Sequence, residues 1–194
     1  MSQIDFSSVP TWARPGVPIE ATTPPPTGNS YVLVGVGDVA ETLARWESSL
    51  PPRATTRIHG DTDSVGAQLG STLAEAVVGV RVWIVAEPGS ALTLRAVALG
   101  AGLEDDEIAV VPVTSAPQSV VEIFCAHCRS VTRAAADVDD IVGCVGCRRD
   151  LLVYHHVSRR TGQYLGFMAD AETAQPACPG TGPGEVPTLM EDPS

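Results

Sequence analysis

Two pairs of cysteines constrain the fold of this chain more than any other feature. The motifs Cys125-Ala-His-Cys128 and Cys144-Val-Gly-Cys147 are separated by fifteen residues, a spacing typical of a four-thiolate metal site. Each pair can form a tight turn, here called a knuckle, that points two sulfurs inward, and two facing knuckles complete a tetrahedron of ligands. The sequence therefore predicts four metal ligands: Cys125, Cys128, Cys144 and Cys147.

Zinc, at one ion per chain, is the metal that we expect, because closed four-cysteine sites in small ribbons are usually structural zinc sites. Iron is the alternative metal, and it would make the site similar to rubredoxin and able to pass one electron. Arg129 and Arg148 directly follow the second cysteine of each knuckle, where rubredoxin knuckles usually have glycine, and this departure favours zinc. Gly143 and Gly146 are expected to supply the backbone freedom of the second knuckle. Two disulfides, or four unliganded thiols, would also be consistent with the cysteine pattern.

The segment 31–120 alternates strands with helices. Short apolar runs predict strands, and the segments between them repeat apolar residues at helical spacing. This alternation indicates a small parallel sheet covered by helices, which is a three-layer α/β domain. Helical periodicity ends near residue 121, so 121–169 predicts a smaller β-rich domain around the cysteines. The strands predicted for the first domain cover residues 31–34, 54–58, 80–86 and 108–113.

Proline and acidic residues dominate the two ends of the chain. Residues 1–30 contain six prolines, and residues 170–194 contain five prolines and five acids with no basic residue. Such composition is typical of extended or disordered segments. We therefore predict an extended proline-rich segment over 1–30 and a disordered acidic tail over 170–194.

The overall charge excludes several classes of partner. Twelve arginines and no lysine stand against 23 acids, which gives a net charge of -11. This balance disfavours binding to nucleic acid or to an anionic membrane. No apolar stretch reaches the roughly 18 to 20 residues of a membrane span, and the first residues lack the pattern of a signal peptide. The sequence therefore predicts a cytoplasmic protein, and its lack of lysine suggests GC-rich coding and a bacterial source.

A glycine-containing turn follows the first predicted strand. Gly35 and Gly37 stand in a G-x-G-x-x-A pattern between a strand and a helix, which is the context of a phosphate-binding turn. Asp38 and Glu87, however, place carboxylates at two helix starts, where we expect them to cap the helices and to repel phosphate. Packing of the glycines is therefore favoured over dinucleotide binding, and NAD(P) is not expected. No Ser/His/Asp or Cys/His catalytic set can be assembled, so catalysis by this chain alone is not expected.

Three stretches around the cysteines resemble a known family. Phe124-Cys-Ala-His-Cys128, Gly143-Cys-Val-Gly-Cys147 and the long stretch from Leu152 to Phe167 resemble the small subunit of the dimethylamine monooxygenase family. The resemblance implies an accessory subunit of an oxidoreductase complex, with no haem or flavin of its own. Its implied partners are a haem-bearing subunit and a flavin and iron-sulfur reductase subunit. Together they oxidatively demethylate secondary methylamines with NADPH and oxygen, giving formaldehyde and a primary amine.

Candidate partner-contacting residues follow the second knuckle. His155 and His156 are adjacent at the end of a predicted strand, so they are expected to point to opposite faces. One histidine then lies at an interface, or is an ordinary surface residue of the strand. With the resemblance, we predict that His155, His156, Arg159 and Arg160 face the partner subunits.

The first domain is similar to a shortened nucleotide domain of ferredoxin reductases. The similarity covers Tyr31 to Leu50, Arg57 to Gly60 and Trp83 onward through Ile108. Those reductases commonly have Cys-Gly-Pro where this chain has Ala-Glu-Pro at 86–88, so we interpret the domain as a docking module. Two further hypotheses remain: a rubredoxin-like electron carrier, and a zinc ribbon that binds nucleic acid or protein.

Overall fold

The computed structural model describes residues 7–14, 27–113 and 118–170. We call residues 27–113 the α/β domain and residues 118–170 the ribbon domain, since each has its own sheet. In chain order the elements are β1 Ser30–Val36, α1 Ala40–Ser49, β2 Ala54–Gly60, α2 Thr62–Ala74, β3 Val80–Ala86, α3 Pro88–Gly100, β4 Ile108–Pro112, β5 Val120–Cys125, β6 Val131–Ala135, β7 Ile141–Gly143, β8 Asp150–Val157 and β9 Tyr164–Met168.

The α/β domain has a parallel sheet with helices on both faces. Its strand order is β2-β1-β3-β4, and every neighbouring pair is parallel. Crossovers between parallel strands are right-handed, so the reversal of direction after β2 places α1 on one face and α2 and α3 on the other. Strand β3 is buried along almost its whole length, as expected of a parallel strand covered on both faces. The predicted three-layer α/β architecture is confirmed.

The helix starts differ in detail from the sequence prediction. Asp61 caps α2 by accepting the Ser64 N–H at 3.0 Å. Helix α1 begins at Ala40 after Val39, so the expected cap by Asp38 is absent. At α3 the N-cap is Glu87, whose side chain makes no capping hydrogen bond. None of the helices in the described residues is both long and apolar enough to cross a membrane.

The ribbon domain is a mixed five-stranded sheet with the order β6-β5-β9-β8-β7. Strands β5 and β9 are parallel, and the remaining neighbouring pairs are antiparallel. Burial alternates along β5, where Ile123 is buried and its neighbours are not, so one face of the sheet packs on a core. The predicted β-rich second domain with four cysteines is confirmed.

Helix α3 joins the two domains. Leu92 of α3 belongs to the core of the ribbon domain. At the start of α3, a Cβ on Gly89 would lie 1.9 Å from the carbonyl oxygen of Val120, so the two backbones are in direct contact there. Gly162 of the ribbon also lies close to the backbone of α3, where a Cβ would be 2.5 Å from the Leu92 oxygen. The ribbon domain is therefore packed on the α/β domain.

Residues 7–14 differ from the prediction of an extended segment over 1–30. Thr11–Ala13 form a short 3-10 turn, and Val9 is only 1% exposed. Trp12 packs against the cores of both domains, and the Ser8 hydroxyl accepts the Val157 N–H at 2.8 Å. The apolar residues between the prolines of this segment pack on the cores of the two domains. The sequence prediction considered the proline content and overlooked these apolar residues. Residues 171–194 of the predicted acidic tail lie outside the described residues.

Candidate metal centre

The four cysteines of the two knuckles come together at one end of the ribbon sheet. The sulfurs of Cys125 and Cys147 are 3.8 Å apart, those of Cys128 and Cys144 are 3.6 Å apart, and all four lie within 4.8 Å of one another. A tetrahedral zinc ion with Zn–S bonds of about 2.3 Å holds its sulfurs about 3.8 Å apart. None of the four is in a disulfide. The predicted ligands therefore fit a tetrahedral ion.

Matching backbone hydrogen bonds build the two knuckles. In the first, the Arg129 N–H donates to the Cys125 oxygen at 2.9 Å, and in the second the Arg148 N–H donates to the Cys144 oxygen at 2.9 Å. The first cysteine of each knuckle also donates its own N–H to a backbone oxygen across the turn. In the second knuckle, the Cys144 N–H donates to the Arg149 oxygen at 2.9 Å. The two turns therefore have the same local structure, although their sequences differ.

The left-handed residues of the knuckles are arginines. Arg129 has φ 64° and Arg148 has φ 61°, a region that favours glycine. The prediction that Gly143 and Gly146 supply this freedom does not describe the turn, since neither has a positive φ. Gly146 is needed for space instead, because its Cβ would lie 2.2 Å from the Ser130 Oγ.

Hydrogen bonds and burial give the thiols different acidities. Hydrogen bonds from the side chain and then the backbone of Ser130 lower the pKa of Cys128 to about 6. The backbone of Cys147 hydrogen-bonds to the sulfur of Cys144 and lowers its pKa. A bond from the Arg149 backbone lowers the pKa of Cys147, but desolvation and the neighbouring thiols outweigh it and raise that pKa to about 11. A cation at the centre would allow all four thiols to ionise together.

The site is anchored in the ribbon core on one side and open on the other. Cys125 and Cys144 are buried, whereas Cys128 and Cys147 are partly exposed. The buried hydroxyl of Thr132, on β6, accepts the Val145 N–H of the second knuckle at 3.2 Å. This bond ties one knuckle to the hairpin that carries the other, and no motif in the sequence indicates it.

The glycine turn after β1 is explained by packing. A Cβ on Gly35 would lie 2.7 Å from side-chain atoms of Leu43 and Val39, so glycine allows α1 to approach the strand. Gly37 has φ 85°, and its carbonyl oxygen lies 2.7 Å from the Nε2 atom of His59. Packing at Gly35 and the positive φ at Gly37 thus explain why glycine stands at both positions, and neither explanation involves a ligand.

The start of α3 is also occupied from within the chain. The N–H groups in the first turn of a helix have no partner within the helix. That of Gly89 donates to the Ser119 hydroxyl at 2.9 Å. A hollow of about 280 Å³ beside it is lined by Asp61 and Asp63 of α2, and by Arg133 of the ribbon. Arg133 is already paired with Asp63 at 2.9 Å. In parallel sheets of this type, phosphate groups bind the free N–H groups at a helix N-terminus. At the N-terminus of α3 that place is surrounded by carboxylates and by residues of the ribbon.

The two predicted interface histidines have different surroundings. The ring of His155 stacks on that of Tyr154, with centroids 3.9 Å apart. The Nδ1 atom of His156 lies 3.1 Å from the Oγ of Ser8. A register shift in β8 disturbs strict alternation along this stretch. Both rings therefore have contacts within the chain, and His156 remains exposed.

The two predicted interface arginines also differ. Arg159 pairs with Asp105 at 2.6 Å and approaches Glu104 at 3.9 Å, so it bridges the ribbon to the α/β domain. Arg160 is exposed in the turn before β9. The structure thus gives Arg159 a role in the joint between the domains, which sequence reasoning missed.

Part of the ribbon is similar to a known protein family. Residues 122–167 match the family model for the dimethylamine monooxygenase subunit DmmA-like C-terminal domain. We call residues 122–167 the DmmA-like domain because of this similarity. This DmmA-like domain includes all four cysteines and the strands that position them, and the family resemblance predicted from the knuckle sequences is confirmed.

A curated relative extends the similarity beyond the DmmA-like domain. The chain is 36% identical over 104 residues to the heme-dependent oxidative N-demethylase delta subunit of Ectopseudomonas mendocina (strain ymp). The alignment covers 54% of this chain and 57% of that relative, so the chain spans little more than half of the relative's length. No solved structure matches the chain.

Proposed function

We propose that this chain is an accessory subunit of a heme-dependent oxidative N-demethylase complex and that its DmmA-like domain holds one structural zinc ion. The observation that carries the proposal is that the sulfurs of Cys125, Cys128, Cys144 and Cys147 lie within 4.8 Å of one another inside the matched domain. The delta-subunit relative supports the role of a subunit. Unpaired cysteines suit a reducing compartment, so we place the complex in the cytoplasm of a bacterium.

The proposed complex converts a secondary methylamine to a primary amine. For dimethylamine, oxygen, NADPH and a proton yield methylamine, formaldehyde, NADP⁺ and water. A haem-bearing subunit carries out the oxygen chemistry, and a flavin and iron-sulfur reductase subunit delivers the electrons. We assign neither haem nor flavin to this chain, whose contribution is the assembly and positioning of its partners.

Zinc suits this role because it is redox-inert and accepts four thiolates in a closed site. The first knuckle connects β5 to β6, and the second connects β7 to β8, at the same end of the sheet. Bridging the knuckles therefore ties both edge hairpins of the sheet together. Binding of the ion contributes directly to the stability of the folded ribbon.

The α/β domain serves as a scaffold in this proposal. Gly35 is explained by packing of α1, and the start of α3 is bonded to Ser119 of the ribbon. Asp61 and Asp63 add negative charge beside the same edge of the sheet. These contacts disfavour a dinucleotide there, so we propose that the domain docks the ribbon and the partners without binding NAD(P).

Removing one ligand tests the proposal. We expect Cys125→Ser and Cys144→Ser to lose zinc, unfold the ribbon and release the haem-bearing subunit, because three thiolates no longer close the site. Zinc content per chain and co-purification of the co-expressed subunits are the measurements. Cys178→Ser is the matched control, since Cys178 lies outside the two C-x-x-C motifs in the sequence. A serine variant at 125 or 144 that still co-purifies stoichiometrically would contradict the proposal.

One observation favours a second function. Cys128 and Cys147 are partly exposed, so an ion bound between them would lie close to the surface. With iron in place of zinc, such a site could pass one electron to a docked redox partner. Visible charge-transfer absorbance of the purified chain, together with about one iron per chain, would establish this function in place of the structural one.

A further inference from the structure

The ribbon sheet has an apolar outer face, opposite the face that packs on the core. Strand register places Phe124 of β5 beside Val131 of β6 and Leu165 of β9. It also places Leu152 of β8 beside Ile141 of β7 and Phe167 of β9. Each of these two rows of apolar side chains crosses three strands, and together the rows reach all five strands of the sheet. We define the outer face as Phe124, Val131, Ile141, Leu152, Leu165 and Phe167.

Several of these side chains are open to solvent in the isolated chain. Ile141 is 62% exposed and Phe167 is 48% exposed, and Val131 also belongs to the exposed large hydrophobic residues. The intervening residues, such as Ile123 and Leu151, are fully buried in the core beneath. A contiguous apolar strip with aromatic residues is typical of a protein–protein interface and unusual on a free surface.

A hollow beside the outer face offers a place for an anchoring side chain. It has a volume of about 310 Å³ and is lined by Phe124 and Leu165 of the outer face, together with His156, Thr161 and Tyr164. Interfaces commonly depend on one bulky residue that fills such a pocket. The hollow therefore gives the face a specific contact in addition to its apolar area, and it includes one of the histidines predicted to face a partner.

The charges next to the outer face indicate what its partner presents. Arg129 lies two residues before Val131, where β6 begins, and Arg148 lies two residues before Asp150, where β8 begins. Within the part of the chain that the structure describes, neither arginine forms an ion pair, whereas Arg133 of β6 pairs with carboxylates of both domains. The cysteine end of the ribbon thus carries positive charge that remains available to carboxylates of another molecule.

We propose that the outer face is the docking surface for a different subunit of the complex, one that presents an apolar strip bordered by carboxylates. This inference rests on the proposed function, because it takes the partner from the same N-demethylase complex. The ribbon meets the α/β domain through Ser119, Gly162 and its inner face, and through the ion pairs of Arg133 and Arg159. Ile141 and Phe167 of the outer face take no part in these contacts and are exposed to that partner. The apolar strip provides burial, and Arg129 and Arg148 select an acidic border.

Photo-cross-linking in the assembled complex tests the docking surface. We would replace Phe167 by benzoylphenylalanine, an aromatic substitution that keeps the ribbon intact, and irradiate the chain co-expressed with the haem-bearing and reductase subunits. The control carries the same group at Val78, which is 94% exposed on the α/β domain. We expect a cross-link from position 167, and none from 78, to a different subunit identified by mass spectrometry. Cross-linking to a second copy of this chain, to its own residues 171–194, or to nothing would overturn the inference.

A pair of substitutions provides the quantitative test. Ile141→Asn with Phe167→Asn is expected to weaken binding of the partner at least about tenfold, whereas Val78→Asn leaves it unchanged. Zinc content of about one per chain shows that the ribbon is folded in each variant. If the unaltered chain does not co-purify with the subunits, the proposed function fails. If it does, and the double variant binds equally well, only the docking surface fails.

Discussion

Each knuckle ends on an arginine in a left-handed backbone conformation. Arg129 and Arg148 have φ values of 64° and 61°, and a residue with a Cβ in this region costs about 1 to 2 kcal/mol relative to ordinary conformations. The hydrogen bonds from their N–H groups to Cys125 and Cys144 impose this conformation. Their positive charges offset part of the net charge of about -2 that four thiolates and a divalent ion carry.

The backbone strain at Arg129 leads to a stability prediction. We expect Arg129→Gly to leave the free energy of unfolding unchanged or to raise it by up to about 1 kcal/mol, because relief of strain offsets the greater chain entropy of glycine. Arg129→Val should lower it by more than about 1 kcal/mol, since a β-branched residue tolerates this region worst. Chemical denaturation of the zinc-loaded chain measures both. Equal effects of glycine and valine would contradict the left-handed conformation.

A control position separates strain from loss of the arginine itself. Arg53 is exposed and has no positive φ. Arg53→Gly should therefore be slightly destabilising, and Arg53→Val should resemble it. The contrast between glycine and valine is expected at position 129 and not at position 53.

The clustering of the four cysteines could be predicted from sequence, whereas the backbone around them could not. The spacing of Cys125, Cys128, Cys144 and Cys147 directly reflects the geometry of a four-thiolate site. The identity of Gly143, by contrast, says nothing about its φ value. Left-handed conformation at the arginines results from hydrogen bonds within each turn, which residue types alone do not reveal.

Among the helices and strands, α3 determines how the two domains meet. Its first turn contacts the backbone of Val120 through Gly89, and its middle contributes Leu92 to the ribbon core. Gly162 of the ribbon packs on the backbone of the same helix with φ 71°. One glycine in each domain thus allows the two backbones to approach closely. A side chain at either position would push the backbones of the two domains apart.

A substitution at the start of α3 tests this joint. Gly89→Ala would place a Cβ 1.9 Å from the Val120 oxygen, and we expect it to destabilise the chain by about 1 to 3 kcal/mol through overpacking. Gly100→Ala, at the end of the same helix with open space around it, should be neutral or stabilising. Thermal unfolding compares the two. A neutral Gly89→Ala variant would show that the ribbon does not sit on the start of α3.

Periodicity predicted the elements but not their contacts. The run 80–86 is apolar on both sides, so its assignment as a buried parallel strand followed from composition, and the bounds of β3 agree with it. Helix α2 ends at Ala74, and the apolar residues Val77 and Val78 that follow it are exposed, so apolar residues there do not mark a buried helix face. Which helix touches the ribbon depends on packing between distant segments, for which one sequence has no local signal.

Across the whole molecule, the arginines of the ribbon fall into two groups. One group lies where the two domains meet, and the other lies at the cysteine end of the ribbon. Arg133 and Arg159 pair with Asp63 and Asp105 across the two domains, while two further arginines, at 129 and 148, lie at the cysteine end. Residues 121–169 contain six arginines and five acids, a more positive balance than that of the whole chain. This balance could not show that two of the arginines hold the chain's own domains together.

The pair at the joint predicts a small dependence of stability on pH. A hydrogen bond from Arg133, and its charge, hold the pKa of Asp63 below its ordinary value. A carboxyl with a lowered folded-state pKa stabilises the fold fully above its unfolded pKa of about 3.9, and this contribution is lost as the pH falls through the folded value. We therefore expect Asp63→Asn to be slightly less stable than the unaltered chain at pH 7 and equally stable near pH 2.

Stability curves against pH for the two proteins measure this difference. Asp106→Asn is the control, because Asp106 is exposed and forms no ion pair among the described residues. Its curve should parallel that of the unaltered chain throughout. An Asp63→Asn variant whose deficit persists unchanged at low pH would indicate loss of packing instead of loss of charge.

The role proposed for this chain depends on the four cysteines holding one redox-inert ion that keeps an accessory subunit in its complex. The decisive measurement is the metal content of this chain by mass spectrometry, after it has been separated from the co-purified complex, taken together with its own visible spectrum. We predict about one zinc per chain and no thiolate charge-transfer absorbance. About one iron in this chain with such absorbance, or a chain that assembles with its partners while it holds no metal, would be incompatible with that role.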